Sequence, residues 1–279
     1  MLRRPRYSVL MSVYAKEKSD NLRLALDGII DQTQPPEEIL LVEDGPLPDA
    51  LHGLISEYAE AHPGMFTIVP LKVNCGLGKA LSQGVLRCRN EIIARMDSDD
   101  YSSPERMEAE LRKMDSEHLD LVGSQVTEFI GDMYHPIART DLPVTQTGIS
   151  EYSKRRNPFR HPSVVFRKSI VEKAGNYNGD YPYFEDWDLF NRIIGIGGRV
   201  GNIDKPLVAM RVSEDFYIRR GGFRYLSNMW RFKYGLWRRG YSSFADFCIS
   251  TLPHMIICLL PNRIRRIIYT QVLRKKVEA

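Results

Sequence analysis

Residues 91–100 read EIIARMDSDD, an apolar, β-branched run that ends in a cluster of carboxylates. A run of this kind and length is typical of a buried strand, here predicted at 91–96. Carboxylates at alternate positions after a strand can face one hard cation, which prefers oxygen ligands. We therefore predict that Asp97 and Asp99 bind a divalent metal, Mg²⁺ or Mn²⁺. The alternative is a solvated turn whose aspartates cap the next helix.

The residues around the two metal candidates fit the same interpretation. Ser98 lies between them, and a bound metal would carry the diphosphate of a nucleotide and neutralise charge on that leaving group. Pro104 stands at the favoured first position of a charged helix predicted at 105–114. We expect Asp100 to act mainly as a cap ahead of that helix.

Three further strand–helix pairs precede this stretch. The strands are predicted at 7–13, 38–42 and 66–70, and the helices at 21–30, 49–61 and 79–87. Such alternation predicts right-handed βαβ units, and hence an α/β fold with a Rossmann-like, mostly parallel central sheet flanked by helices. Ligands of such sheets bind beyond the carboxyl ends of the strands.

Every polar cluster in this half of the chain follows a predicted strand. The clusters occupy residues 14–18, 43–45, 74–79 and 97–100. The carboxylate of Asp44 could accept a hydrogen bond from a ribose or a base edge, although Asp-Gly is also a good turn pair. The meeting of these clusters at one edge of the sheet favours a ligand site.

The third cluster belongs to a glycine-containing loop, NCGLGKA, at residues 74–80. Its spacing is not that of a P-loop, and it lacks the third glycine of the dinucleotide-binding fingerprint. Gly76 and Gly78 permit close approach of the backbone to a ligand. Lys79 could reach a phosphate or brace the acidic site. A plain loop-to-helix junction is the alternative.

The second half of the chain is less regular, with strands predicted at 119–126 and 161–167 and a helix at 183–194. Glu185 and Asp186 stand near the start of that helix, where one carboxylate could act as a general base toward an acceptor hydroxyl. Simple capping of the helix is the alternative, because acidic residues are favoured in a first turn.

Three further residues are weaker candidates. His161 either contacts the substrate on the acceptor side or is a satisfied strand histidine. Arg219 and Arg220 precede two glycines. Arginine suits bidentate contact with phosphate, so this pair could grip the diphosphate, although a solvated basic loop is also compatible with the pattern.

The C-terminal part of the chain differs from the rest in charge. Residues 211–279 carry 14 Lys/Arg against 4 Asp/Glu, whereas the net charge of the whole chain is only +4. The apolar run at 247–260 is shorter than the roughly 20 residues of a spanning helix. Its arginine-rich flanks suit an interfacial segment on an anionic membrane surface. A helical pair packed on the rest of the chain is the alternative. Nucleic acid is not an expected partner, because no RNA- or DNA-binding module is recognisable.

The composition is that of a soluble globular protein: 279 residues, 43% hydrophobic and 27% charged. We predict a main domain at 1–215, made of halves at 1–103 and 104–215, and a helical extension at 216–279. The four cysteines have no CxxC spacing, so we interpret them as free thiols of a reducing cytoplasm. The N-terminus lacks the pattern of a signal peptide.

Taken in order, these motifs resemble those of the inverting family 2 glycosyltransferases, which have the GT-A fold. The resemblance extends from Tyr7 to about Arg211 and is strongest to bacterial enzymes that assemble capsule, exopolysaccharide or O-antigen repeat units. The matching segments are SVLMSVYAKEK at 8–18, LLVEDG at 40–45, NCGLGKA at 74–80, ARMDSDD at 94–100, RHPSVVFRKS at 160–169 and FEDWDLFNRI at 184–193.

The resemblance implies a role for each candidate residue. Asp186 would be the catalytic base with Glu185 beside it, and Asp97 and Asp99 would hold the diphosphate and the metal. The segment containing His161 would lie on the acceptor side. The nucleotide-sugar would be surrounded by Ser12, Val13, Tyr14, Glu17, Asp44, Asn74, Gly76, Lys79 and Ser98.

The resemblance also implies a reaction. One sugar would pass from a nucleotide-diphosphate donor, with uridine the expected base, to a saccharide on polyprenyl diphosphate at the cytoplasmic face of the membrane. The QxxRW motif of processive synthases is absent, which favours single transfer. Two alternatives remain at this point: a sugar nucleotidyltransferase, and a non-catalytic nucleotide-sugar-binding protein.

Overall fold

A computed structural model describes residues 5–212, 221–261 and 264–265. Its strands are β1 Tyr7–Val13, β2 Glu38–Glu43, β3 Phe66–Pro70, β4 Ile92–Asp97, β5 Tyr101–Ser102, β6 Leu121–Phe129, β7 Ala138–Arg139, β8 Val165–Arg167 and β9 Val200–Arg211. Its α-helices are α1 Ser19–Ile30, α2 Asp49–Ala61, α3 Leu77–Arg87, α4 Arg106–Ser116, α5 Gln146–Ser153, α6 Lys168–Lys173, α7 Glu185–Gly195, α8 Gly222–Arg238 and α9 Phe244–Leu259. The predictions for Arg219 and Arg220 lie outside the described residues.

The strands form one central sheet in the order β3-β2-β1-β4-β8-β6-β9-β5, with β7 paired to β6. β1 to β4 are mutually parallel, as predicted. In the other half β6 and β9 are parallel, whereas β8 runs antiparallel to both β4 and β6. The predicted α/β fold with a flanked central sheet is confirmed, and its parallel character is concentrated in the N-terminal half.

Helices cover both faces of the sheet and enclose two apolar cores. The alternation of β1 divides its side chains between them, with Val9 and Met11 on one face and Leu10 on the other. The first core packs against α1, α2 and α4, and the second against α3, α6 and α7. Helix α3 lies especially close to the sheet at Gly84, where an added Cβ would stand 2.3 Å from Leu10 Cδ1. Burial on both faces explains why these strands read as continuous apolar runs.

Two local predictions need correction. The strand predicted at 161–167 is a 3₁₀ turn at His161–Ser163 followed by the short strand β8, because Pro162 lacks an N–H group for the ladder. Asp100 does not cap helix α4. Its Oδ1 instead accepts a hydrogen bond of 2.7 Å from the backbone N–H of Arg211 at the end of β9.

The C-terminal helices α8 and α9 pack on the start of α7. A third apolar cluster joins Phe184 and Trp187 to α8 through Tyr225 and Phe232, with Cys258 of α9 at its edge. Helix α9 begins with a capping box in which Ser243 and Asp246 satisfy each other's backbone groups. No helix in the described part of the chain has the length and hydrophobicity needed to cross a membrane.

Candidate functional site

Three carboxylates meet where β4 ends. Asp97, Asp99 and Asp100 each offer an oxygen, and these oxygens lie within 4.8 Å of one another. Burial, together with the negative charges of Asp97 and Glu17, raises the pKa of Asp99 to about 7. Burial and the neighbouring aspartates raise the pKa of Asp100 well above its ordinary value. Carboxylates crowded in this way must either share protons or bind a cation.

Two arginines that were not singled out from the sequence hold this cluster in place. Arg95 is buried inside β4 and forms an ion pair with Asp97. Arg211 donates its backbone N–H to Asp100 and its side-chain Nε–H to the carbonyl oxygen of Asp99, at 3.0 Å. Within the described ranges, Oδ2 of Asp100 is buried and has no hydrogen-bond partner. An oxygen in that state is suited to a metal ion.

The end of β1 borders the acidic cluster. Ser12 is paired in register with Asp97 and Val13 with Glu43, which places the first predicted nucleotide loop between the ends of β2 and β4. Tyr14, which follows, is partly exposed. Just beyond it, Glu17 accepts a hydrogen bond of 2.6 Å from Ser98 Oγ. The loop after β1 and the acidic cluster are therefore tied together.

Asp44 organises the glycine loop. Its carboxylate oxygens accept the backbone N–H groups of Cys75 and Gly76, at 2.7 and 3.0 Å, and the side chain of Asn74 donates to its carbonyl oxygen at 3.1 Å. Gly76 adopts a φ of 86°, a conformation that favours glycine. The structure thus gives Asp44 a role in shaping the loop, and its contact with a nucleoside stays a prediction.

The glycine loop packs against the start of α7. An added Cβ on Gly78 would stand 3.2 Å from Glu185 Cβ, and one on Gly179 would stand 2.6 Å from Lys79 Cγ. Lys79 lines a groove together with Cys75 and Tyr177. Among the residues that the structure describes, it forms no ion pair with the three aspartates.

The two carboxylates that begin α7 have different surroundings. Burial, followed by the charge of Asp186, raises the pKa of Glu185 to about 7, and in the described part of the chain Oε2 of Glu185 has no hydrogen-bond partner. Asp186 accepts hydrogen bonds of 2.7 Å from Asn157 Nδ2 and from the backbone N–H of Trp187. Asp188 is fully buried between Arg192 and Arg239, which makes it a structural residue.

A buried polar group connects the two acidic centres. Arg95 influences the pKa values of both Asp99 and Glu185. His161 lies beside it and shares a 2.9 Å hydrogen bond with Tyr177 Oη. Burial and the charge of Arg95 hold the pKa of His161 well below its usual range, so the imidazole is neutral. A substrate contact by His161 stays a prediction.

Arg95 could have been identified from the sequence, because a charged residue within the apolar run IIARM needs a buried partner. Tyr177, Asn157 and Arg211 gave no comparable signal, since they reach the site only through long-range packing.

Several known proteins resemble this chain in sequence. Residues 8–175 match the family model described as Glycosyl transferase family 2. The chain is 36% identical to the amylovoran biosynthesis glycosyltransferase AmsE of Erwinia amylovora, over 94% of this chain and 97% of that one. It is 33% identical to the UDP-Gal:alpha-D-GlcNAc-diphosphoundecaprenol beta-1,3-galactosyltransferase of Escherichia coli, over 97% of this chain and 98% of that one.

Solved structures show the same fold at lower identity. The mannosyltransferase PcManGT from Pyrobaculum calidifontis, in complex with GDP-Man and Mn²⁺, superposes with a TM-score of 0.63 at 17% identity, over 95% of this chain and 72% of that one. S. aureus TarS in complex with UDP-GlcNAc superposes with a TM-score of 0.61 at 17% identity, over 93% of this chain and 82% of that one. The match to the family model covers more than half of the chain, and both curated relatives align over nearly its whole length. The chain is a glycosyltransferase, rather than either alternative, and belongs to glycosyl transferase family 2.

Proposed function

We propose that this glycosyltransferase moves one sugar, with inversion, from a nucleotide-diphosphate donor to a lipid-linked saccharide. The observation that carries the proposal is the placement of two acidic centres. The charge of the buried Arg95 acts on Asp99, in the metal-compatible cluster at the end of β4, and on Glu185, at the start of α7, so the two centres lie on either side of one cation. One centre is suited to a leaving diphosphate and the other to an attacking hydroxyl.

The acidic cluster fits a hard divalent cation, Mn²⁺ or Mg²⁺. Asp97 and Asp99 would hold the ion, and Asp100 adds a third carboxylate within reach. When bound, such an ion neutralises the negative charge that builds on the leaving diphosphate. Support comes from the crowding of these carboxylates and from the buried Oδ2 of Asp100. A structural relative was crystallised with GDP-Man and Mn²⁺.

Asp186 is the proposed general base. Its Oδ2 is oriented by Asn157, and its position at the first turn of α7 leaves it half-buried. Asp186 accepts the proton of the acceptor hydroxyl as the hydroxyl oxygen bonds to the anomeric carbon and the bond to the diphosphate breaks. A single displacement from the opposite face inverts the configuration. Glu185 lies beside Asp186, whose charge helps to raise the pKa of Glu185.

The donor is proposed to be a UDP-sugar and the acceptor a saccharide on polyprenyl diphosphate. The Escherichia coli relative is named for UDP-Gal and for a diphosphoundecaprenol-linked GlcNAc, and the Erwinia relative for amylovoran biosynthesis. The loop of Ser12 to Tyr14, together with Asp44, Asn74 and Gly76, is proposed to surround the nucleoside. A role in bacterial surface polysaccharide synthesis follows from these substrates.

A peripheral position on the inner face of the membrane is part of the proposal. Helix α9 exposes Ile249, Leu252, Ile256 and Leu259, each more than half exposed. Their spacing puts them on one side of the helix, and this set is called the α9 stripe below. An apolar stripe within a strongly basic segment suits an anionic membrane surface. The proposed division into a catalytic domain, 1–215, and an extension, 216–279, assigns this task to the extension.

A transfer assay tests the proposal. The protein would be incubated with labelled nucleotide-sugars and with lipid extracts from bacterial membranes as the acceptor source, with and without a chelator. We expect label in the lipid fraction with one uridine donor, loss of transfer with the chelator, and recovery with Mn²⁺. The anomeric configuration of the product, read by NMR, should be opposite to that of the donor. Retention of configuration, or full activity in the chelator, would contradict the mechanism.

A further inference from the structure

A second groove, of about 460 Å³, lies beside the start of α7 and has no role in the chemistry described above. It is formed by α8 and by the loop that leads into α7. Its walls are three aromatic rings and three guanidinium groups, contributed by Tyr181, Trp230, Tyr234, Arg231, Arg238 and Arg239. This set is called the α8 groove below.

The sequence of α8 builds the groove. Trp230, Tyr234 and Arg238 follow one another at intervals of four residues, and Arg231 precedes Tyr234 by three, so all four share one side of the helix. The rings of Trp230 and Tyr234 remain about two-fifths exposed, although each packs against Phe247 of α9. Their apolar surface is therefore held at the mouth of the groove rather than buried in the core.

A glycine in α8 allows the loop that contains Tyr181 to form one wall of the groove. An added Cβ on Gly235 would stand 3.1 Å from Tyr181 Oη, so the absence of a side chain there lets the loop approach α8. Arg239 then lies over the Tyr181 ring at 5.8 Å and pairs with the buried Asp188 at 2.8 Å. These contacts fix the groove to the helix that carries Asp186.

Most of the positive charge of the groove has no ion-pair partner in the described part of the chain. Residues 221–245 include five Lys/Arg and no Asp or Glu. Within the described ranges, Arg231 and Arg238 form no ion pair, in contrast to Arg239. Exposed guanidinium groups on a rigid helix bind phosphate oxygens, often in pairs. The aromatic rings between them can pack against the apolar face of a sugar.

The position of the groove narrows the choice of ligand. Arg239 ties the groove to Asp188 in the first turn of α7, two residues after the proposed base Asp186, whereas the donor's diphosphate is assigned to the acidic cluster. On the other side, α9 packs against α8 and exposes the α9 stripe. A phosphorylated sugar with a hydrocarbon chain matches this order: sugar toward Asp186, phosphates at the arginines, chain toward the stripe.

We propose that the α8 groove binds the diphosphate of the polyprenyl-linked acceptor. The inference rests on the proposed function and adds to it the site that recognises the acceptor's anionic group. It also implies that binding depends on the diphosphate itself and not only on the negative charge of a membrane.

Vesicle binding by the full chain tests this site. Neutral phosphatidylcholine vesicles would carry either polyprenyl diphosphate or phosphatidylglycerol at equal total charge. We expect the unaltered protein to bind the diphosphate vesicles more tightly. In the double variant Arg231→Gln/Arg238→Gln this preference should fall by on the order of tenfold, as expected for lost charge-assisted hydrogen bonds. Arg112→Gln/Arg139→Gln, which removes two exposed arginines of α4 and β7 that do not line the groove, should leave the preference unchanged.

Several outcomes would contradict the proposal that the α8 groove binds the diphosphate. One is equal binding of both vesicle types by the unaltered protein, which would mean simple electrostatic attraction to a membrane. Another is an undiminished preference in the groove variant. If that variant melts early, the unaltered protein supplies a second measurement: polyprenyl diphosphate should change its tryptophan fluorescence, and Trp230→Phe should remove most of the change. An undiminished signal in Trp230→Phe would contradict the proposal.

The two proposals can fail separately. Vesicle and fluorescence binding require no sugar transfer, so they can succeed in a protein that transfers nothing. Conversely, transfer by the unaltered enzyme, with the same KM for the lipid acceptor in Arg231→Gln/Arg238→Gln, would preserve the function and remove the groove from it. We expect a raised acceptor KM in that variant, with the KM for the donor unchanged.

Discussion

At the scale of single residues, the first turn of α7 contains acids that read alike in the sequence and differ in the structure. Asp186 is half-buried and accepts a hydrogen bond from Asn157. Asp188 is fully buried and bridges Arg192 and Arg239. We expect Asp186→Asn to lower the transfer rate by roughly 10²–10⁴-fold, because the proposed general base is lost, while binding of UDP, measured by calorimetry, is retained.

The matched change, Asp188→Asn, should lower the stability of the fold rather than the rate of the transfer step. Removing one partner of a buried ion pair costs about 3 kcal/mol in the free energy of unfolding, while the proposed base, Asp186, is kept. Urea unfolding and transfer rates measured on both variants separate the two roles. A fully active Asp186→Asn enzyme would remove that residue from the mechanism.

A second prediction at this scale concerns pH. Burial raises the pKa of Glu185 to about 7 from an ordinary 4.5. The folded state therefore binds this proton more tightly than the unfolded state, and its stability falls as pH rises between these two values. The same sign applies to Glu110, a buried carboxyl on α4 whose pKa burial also raises to about 7.

Glu185→Gln should therefore stabilise the protein near pH 8, by up to about 3 kcal/mol, and change little near pH 5. Thermal melting at the two pH values measures the difference. The exposed Glu151→Gln is the control and should show no such dependence. An equal effect of Glu185→Gln at both pH values would mean that its carboxyl is not protonated in the folded state.

At the scale of elements, the α9 stripe is the feature most open to test. Each of its residues would bury apolar area at a membrane interface. Leu252→Glu/Ile256→Glu should weaken binding to phosphatidylglycerol vesicles by about tenfold or more, since it removes two apolar anchors and adds negative charge. Leu86→Glu, at an exposed leucine of α3, is the control. Equal vesicle binding in all three proteins would argue that the extension serves only to pack on α7.

The bounds of strands and helices were the features that the sequence predicted best. The fully buried strands β1 and β2 and the paired helices produce strong apolar patterns, so their bounds are predicted within two residues. The prediction of a strand at 161–167 was wrong because it gave more weight to strand propensity than to Pro162. The assignment of Asp100 as a cap was wrong because its partner, Arg211, lies more than a hundred residues away, and no local pattern encodes that contact.

The same limit applies to the site as a whole. Acids and glycines that follow the strands could be predicted, because parallel strands end at one edge of the sheet. Arg95 was within reach of the same reasoning, since a charge in a buried strand requires a partner. Tyr177 and Asn157 could not be predicted in this way, because their positions depend on how the second half of the chain packs against β4.

At the scale of the whole molecule, the packing of α8 and α9 decides whether the chain unfolds as one unit. The predicted boundary near residue 215 is crossed by the cluster of Phe184, Trp187 and Phe232 and by the ion pair of Arg155 with Asp246, at 2.6 Å. All three tryptophans of the chain, Trp187, Trp230 and Trp237, lie on α7 or α8. Tryptophan fluorescence therefore reports on this junction, whereas far-ultraviolet circular dichroism reports on the entire sheet and its helices.

We expect the two signals to change together on heating or in urea, because buried aromatic contacts of this kind couple the extension to the catalytic core. Phe232→Ala, which opens a cavity in the shared cluster, should lower both midpoints and cost about 3–5 kcal/mol in the free energy of unfolding. Phe223→Ala, at a highly exposed position of the same helix, should change neither midpoint. An early fluorescence transition, with the circular dichroism signal still native, would instead mean that the extension unfolds as a separate domain and that its packing on α7 contributes little to the stability of the catalytic site.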